Sequence, residues 1–206
     1  MDILKRLGFS IMILMMTTTA FSQSNEVLMN AFSTSYEQEK NGKYEEAINT
    51  LKAVYQEDSY EINLRLGWLN YLSGMFTESM PYYQKCIYLR PMSIEARFGI
   101  VNPAAAMGNW TQVEKHYNDI LSIDPENSQA NYRMGMIYYG RADYAKSLQI
   151  FEKLLNRYPF DYDIIMMSGW TQYRMGDMRK AKVLFNKALL NRPNDSSALE
   201  GLKLLE

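Results

Sequence analysis

Four similar phrases recur along this chain at one interval: Leu89-Arg90-Pro91, Ile123-Asp124-Pro125, Arg157-Tyr158-Pro159 and Asn191-Arg192-Pro193. Their prolines stand at 91, 125, 159 and 193, so each step is 34 residues. A second series, Gly74, Gly108, Ala142 and Gly176, keeps the same step in a fixed phase, and Gly42 lies 32 residues before Gly74. Two landmarks in register describe a repeated supersecondary unit. Such a unit cannot cover its own apolar face, so its neighbours must stack on it. The chain is therefore expected to fold as a stack of units.

Each unit reads as two helices. Leu66-Gly67, Met134-Gly135 and Ser168-Gly169 put a glycine mid-helix, at a cost of about 1 kcal/mol that is acceptable where a neighbour must come close. Seven residues on, from 67 to 74, 135 to 142 and 169 to 176, the turn residue follows. Phe76, Trp110, Tyr144 and Met178 then open the second helix. Ser79, Tyr83 and Cys86, with Val113, Tyr117 and Ile120, Ser147, Phe151 and Leu154, and Ala181, Phe185 and Ala188, repeat along it in steps of four and three. That spacing places each set on one helical face. The proline stops the second helix, and Ser93, Asn127, Asp161 and Asp195 are expected to N-cap the helix that follows.

Some units depart from the pattern. The first has Ser59 where a proline is expected, and the third has Val101 in the place of the mid-helix glycine. Pro103 falls inside a first helix, which it is expected to kink or shorten at a cost of ~3 kcal/mol; Pro81, near a helix start at Thr77, is milder. The stretch 196–206 reads as one more helix closing the stack, with Leu199 and Leu202 inward and Glu200 and Lys203 outward.

The pattern resembles the tetratricopeptide repeat family, in units of about 28–61, 60–93, 94–127, 128–161 and 162–195 over a domain spanning 23–206. The resemblance implies an all-α, right-handed α-solenoid of helix-turn-helix hairpins with a C-terminal capping helix. It also implies that the first helices line a concave groove. Around the mid-helix glycines this assigns Leu64, Trp68 and Tyr71, then Tyr132, Met136 and Tyr139, then Met166, Trp170, Tyr173 and Arg174. Val101 at the matching place assigns Phe98, Asn102 and Ala105; Ser35 assigns Phe32, Tyr36 and Glu39. Family members that hold a peptide's terminal carboxylate do so with lysines, an arginine and asparagines. Here those places carry Leu64, Trp68 and Phe98, and only Asn102 matches. The groove is thus expected to take an apolar or aromatic-bearing segment, oriented by Arg174.

Before the repeats, Lys5 and Arg6 precede an apolar run from Leu7 to Met16, and Ala20-Phe21-Ser22 supplies small residues. Residues 1–22 are expected to be a signal peptide cleaved before Gln23, giving an exported, periplasmic or envelope-associated protein. The same segment also fits a retained anchor, although the run is shorter than the roughly 20 residues a bilayer requires.

Chemistry is not expected. Formal net charge is −1, without the clustered Lys and Arg that nucleic acid demands. The single histidine, His116, reads as a solvent-side helical residue, and the single cysteine, Cys86, as a small core residue. Neither composes a metal site or a nucleophile relay, and no cofactor is implied. The reading is a non-enzymatic scaffold for a protein or peptide partner, membrane-associated through that partner if at all. A glycan-binding module, using Asn102, Gln129, Asp163 and Arg174 beside the aromatics, is one alternative, and a cytosolic adaptor is another.

Overall fold

Helical hairpins form where the 34-residue step places them. The computed structural model describes residues 25–206; the expected signal peptide and its cleavage point before Gln23 lie outside the described residues. Those residues form eleven helices and no strand: α1 over 25–40, α2 Tyr44–Lys52, α3 Tyr60–Leu72, α4 Phe76–Leu89, α5 Ile94–Ala106, α6 Trp110–Ile123, α7 Ser128–Gly140, α8 Tyr144–Arg157, α9 Tyr162–Arg174, α10 Met178–Asn191 and α11 Ser196–Lys203. They fall into two compact units, one ending at Asn109 and the other running from Trp110 to Glu206. The first holds α1 to α5 and the second α6 to α11.

Local signals fix the helix ends. Ser59, Ser93, Asn127, Asp161 and Asp195 accept hydrogen bonds from the backbone N–H of Ile62, Ala96, Ala130, Ile164 and Ala198, at 2.9–3.3 Å. Each thereby satisfies one of the helix's otherwise orphaned donors. These caps run at a step of 34 from the first unit onward. Ser59 is thus a cap in register with Ser93, not a replaced proline. The shortfall of the first repeat lies instead in α2, which has 9 residues against 14 in α4. The turns inside the hairpins need a left-handed residue, supplied by Gly42, Gly74, Gly108 and Gly176 at φ +71 to +84° and by Ala142 at φ 60°.

The core of each unit is built from aromatic rings seated on glycines. Tyr83 of α4 lies against Gly67 of α3 and Gly99 of α5. A Cβ at Gly67 would stand 3.0 Å from the ring, and one at Gly99 would overlap it outright. In the second unit Phe185 of α10 sits between Gly169 of α9 and Gly201 of α11, where added Cβ atoms would come within 2.9 and 2.5 Å; Phe151 of α8 rests on Gly135 of α7 at 2.8 Å. Each glycine–ring separation is 16 residues, back for Gly67, Gly135 and Gly169, forward for Gly99 and Gly201. The rings are nearly or fully buried, so the contact is dense apolar packing without slack. Ser79 and Ser147, one turn before their rings, donate to the carbonyls of Gly67 and Gly135 at 2.7 and 3.0 Å.

Several sequence expectations meet the structure here. Val101 holds the place of the mid-helix glycine and is buried itself, while Gly99, two residues before it, receives the Tyr83 ring of the preceding helix. Pro103 does not shorten its helix, because α5 keeps 13 residues like α3; its missing N–H deprives only the Gly99 carbonyl of a partner. His116 is 7% exposed, not solvent-side, since it lies on the stripe with Val113, Tyr117 and Ile120. Leu199 is 47% exposed: α11 turns Ala198 and Gly201 inward with Leu202 at the margin. The cap sets that phase, because the third residue after each cap (Ile62, Ala96, Ala130, Ile164, Ala198) faces the core.

The Gly99→Ala substitution is expected to destabilise the chain by about 2 kcal/mol, overpacking outweighing the better helix propensity of alanine. In a Tyr83→Ala background the same change should instead be neutral or stabilising. Urea denaturation of the four proteins of this double-mutant cycle measures the coupling.

Candidate functional site

The surface that could hold a partner is built on the first helix of each hairpin, and its side chains are tied down by neighbours. In the first unit, Arg65 of α3 is buried and forms an ion pair with Glu39 of α1. Its Nε donates to the Ser35 hydroxyl at 3.3 Å and a terminal nitrogen to the Ser35 carbonyl at 3.1 Å. Its guanidinium carbon stands 3.8 Å from the centroid of the Tyr36 ring, a cation–π stack. The other carboxylate oxygen of Glu39 accepts the indole N–H of Trp68 at 2.8 Å. One carboxylate thus joins an arginine and a tryptophan, leaving Tyr36 on the outside at 56% exposure. The Trp68 ring continues to Tyr71 at 5.7 Å, and Tyr71 to Phe76 at 5.8 Å. Leu64, Phe98 and Asn102 are half-buried.

In the second unit the rows are carried by α7 and α9. Tyr132 stands edge-on to Phe151 at 5.7 Å and belongs to the margin of the core. Met136 is exposed. Tyr139 meets Tyr144 edge-on at 5.4 Å. Trp170 packs edge-on against Phe185 at 4.9 Å and Tyr173 at 5.8 Å, and its indole N–H donates to the Ser197 hydroxyl of α11 at 3.1 Å. Arg174 closes α9, exposed, with its guanidinium carbon 5.9 Å from the Tyr144 ring centroid. Its hydrogen bond to Tyr139 raises its pKa further above the ordinary arginine value.

Met166 is the expected groove residue that the structure removes. It is 6% exposed and packs with Ile165, Leu184 and Phe185 in the core of the second unit. Three residues before Gly169, it is turned toward the seated ring instead of the open face. The remaining fifteen expected residues stay accessible in some degree, in two sets: Phe32, Tyr36, Glu39, Leu64, Trp68, Tyr71, Phe98, Asn102 and Ala105 in the first unit; Tyr132, Met136, Tyr139, Trp170, Tyr173 and Arg174 in the second. Arg65, Ser197 and Tyr144 escaped sequence reasoning. An arginine in a helix reads as solvated, and nothing in the spacing of Glu39 and Arg65 signals that they meet.

Cys86 and His116 are both buried. Burial pushes the Cys86 thiol up to about 12, far from the thiolate a nucleophile needs. Among the described residues no three His, Cys, Asp or Glu side chains come together as metal ligands, and no helix is long and apolar enough to cross a membrane.

Family models of the tetratricopeptide repeat match residues 60–91, 129–161 and 163–195, coinciding with the α3–α4, α7–α8 and α9–α10 hairpins. The fold is similar to that of a tetratricopeptide repeat protein from Parabacteroides merdae, at 20% identity over 87% of this chain and 72% of that one, with a TM-score of 0.75. It is similar also to MamA, at 18% identity over 81% of this chain and 92% of that one, TM-score 0.68. A third likeness is YrrB, described as a TPR protein with an unusual peptide-binding site, at 13% identity over 84% of this chain and 90% of that one, TM-score 0.67. In sequence, the chain is 28% identical over 137 residues to the human protein O-mannosyl-transferase TMTC1. It is 27% identical over 85 residues to tetratricopeptide repeat protein 21B of Xenopus laevis. Those stretches make up 66% and 41% of this chain but only 15% and 6% of the relatives' lengths.

Replacing Glu39 by alanine strands the buried Arg65 guanidinium and removes the acceptor of Trp68. A loss of about 2 kcal/mol is expected, below the usual figure for a broken buried pair because Glu39 is partly solvated. Denaturation followed by tryptophan fluorescence measures it.

Proposed function

The chain belongs to the tetratricopeptide repeat proteins, and from that premise we propose that it is a non-enzymatic scaffold holding a peptide segment or protein partner against the first helices of its hairpins. The observation that carries this reading is the fixed aromatic face of each unit. Trp68 is bonded to Glu39 and Trp170 to Ser197, so these rings and the tyrosines beside them are ordered before a partner arrives. Large, rigid aromatic side chains give contact area at little cost in conformational freedom, and Trp, Tyr and Arg dominate binding hot spots. The peptide-binding site in the description of YrrB, a protein of similar fold, supports a peptide segment as occupant.

Site-specific photo-cross-linking in cells tests this. Cross-linkers at Met136 and at Tyr36 are expected to capture partner protein, whereas one at the exposed Lys182 of α10 is not. Capture from Lys182 alone overturns the reading.

The scaffold is proposed to act outside the cytoplasm, in an envelope assembly. The support is the basic, apolar and small-residue order of residues 1–22. N-terminal sequencing of the protein from fractionated cells should find Gln23 first, in the envelope fraction; an intact Met1 in the cytosol contradicts export.

A further inference from the structure

Each unit sets an arginine beside aromatic rings, and the two are paired differently. In the first, Arg65 stacks on Tyr36 and its N–H groups are occupied, by Glu39 and by Ser35. In the second, Arg174 lies beside aromatic residues more loosely, its guanidinium carbon 5.9 Å from the Tyr144 ring centroid and its charge favoured by the Tyr139 hydroxyl, and among the described residues it has no carboxylate. The acid three residues on, Asp177, and the acid next to Tyr144, Asp143, are committed elsewhere. Asp177 accepts from the Lys180 backbone N–H at 3.0 Å and pairs with the Lys180 ammonium at 3.5 Å. Asp143 holds Lys146 in the same manner, at 3.3 Å from its N–H and 2.9 Å from its ammonium. The other cation near this turn, Arg141, is paired with Glu114 at 2.6 Å. Arg174 alone among these four cations presents a guanidinium with open in-plane donors.

We infer that Arg174, framed by Tyr139, Tyr144 and Tyr173, receives the side-chain carboxylate of an Asp or Glu within the partner's bound segment, an aromatic or aliphatic partner residue lying against Met136 and Trp170. This rests on the scaffold reading and specifies the partner's chemistry. Charge complementarity selects the occupant: a guanidinium accepts a carboxylate through two parallel N–H bonds, and stacking on a ring face leaves that edge free. The chain contains a filled version of the arrangement. Glu39 meets Arg65 over Tyr36 with a tryptophan N–H on its second oxygen. The carboxylate inferred here is an internal side chain, so it requires no free chain terminus.

The test uses the full mature chain and two peptides blocked at both ends, Ac-Gly-Glu-Phe-Glu-Leu-Gly-amide and its glutamine counterpart Ac-Gly-Gln-Phe-Gln-Leu-Gly-amide, titrated by fluorescence anisotropy at low salt. The acidic peptide should bind about tenfold more tightly than the amide peptide, one charge-assisted bidentate contact's worth. The preference should disappear in Arg174→Gln and survive in part in Arg174→Lys, which keeps the charge without the fork. Circular dichroism melting confirms that these surface variants fold. Equal binding of both peptides, lost on Met136→Ala, overturns the carboxylate inference and leaves the scaffold reading standing. A preference for the acidic peptide that persists in Arg174→Gln overturns it in favour of another cation. Binding of neither peptide also overturns it, while the cross-linking at Met136 judges the scaffold reading separately.

Discussion

The fold depends on an aromatic ring set against a residue with no side chain. Tyr83, Phe151 and Phe185 each fill the space that a Cβ on a glycine of the first helix would claim, and Tyr83 and Phe185 do so on two helices at once. A ring in that position fixes how near two helices approach and where along their length they touch. Because rings and glycines recur at constant separation, the contact is repeated in the α3–α4, α7–α8 and α9–α10 hairpins, as a stack sustained by nearest-neighbour interfaces requires. The serines that bond glycine carbonyls from the facing helix set the same spacing. Each mid-helix glycine therefore gives up helix propensity for the approach of a partner ring.

The candidate binding face follows from that packing. With the ring of the second helix beneath the glycine, the next residue of the first helix stands partly or fully open to solvent, and these residues are Trp68, Met136 and Trp170. They are not loose. Trp68 is tied to α1 through Glu39, and Trp170 to α11 through Ser197. The same hydrogen bonds that brace neighbouring first helices orient the aromatic rings, so stability and readiness to bind share their residues. Arg65 adds a buried charge to this brace, compensated by Glu39, Ser35 and the Tyr36 face.

Most of the architecture was legible because it is periodic. The second-helix sets, from Ser79, Tyr83 and Cys86 to Ala181, Phe185 and Ala188, are all buried, since steps of four and three leave one face available. The caps after the prolines were legible because an N-cap is a local interaction of few residue types. What escaped was the pairwise chemistry between repeats. Val101 drew attention as a missing glycine, while the glycines 16 residues after Tyr83 and Phe185, Gly99 and Gly201, which form a second register, went unread. Met166 read as a groove residue because spacing identifies a face but not its edge. Leu199 read as inward because a leucine was weighed above the alanine and glycine that α11 turns to the core. His116 read as solvated because a histidine was judged by its polarity and not by its place on a broad apolar stripe.

A partner is proposed to sit on the ordered aromatic faces of the first helices. Hydrogen–deuterium exchange of the full chain, alone and with the protein recovered by cross-linking, measures this most directly. Slowed exchange is expected in α3, α7 and α9, with the second helices α4, α8 and α10 unchanged. Protection concentrated in α4, α8 or α10, with α3, α7 and α9 unaltered, contradicts it.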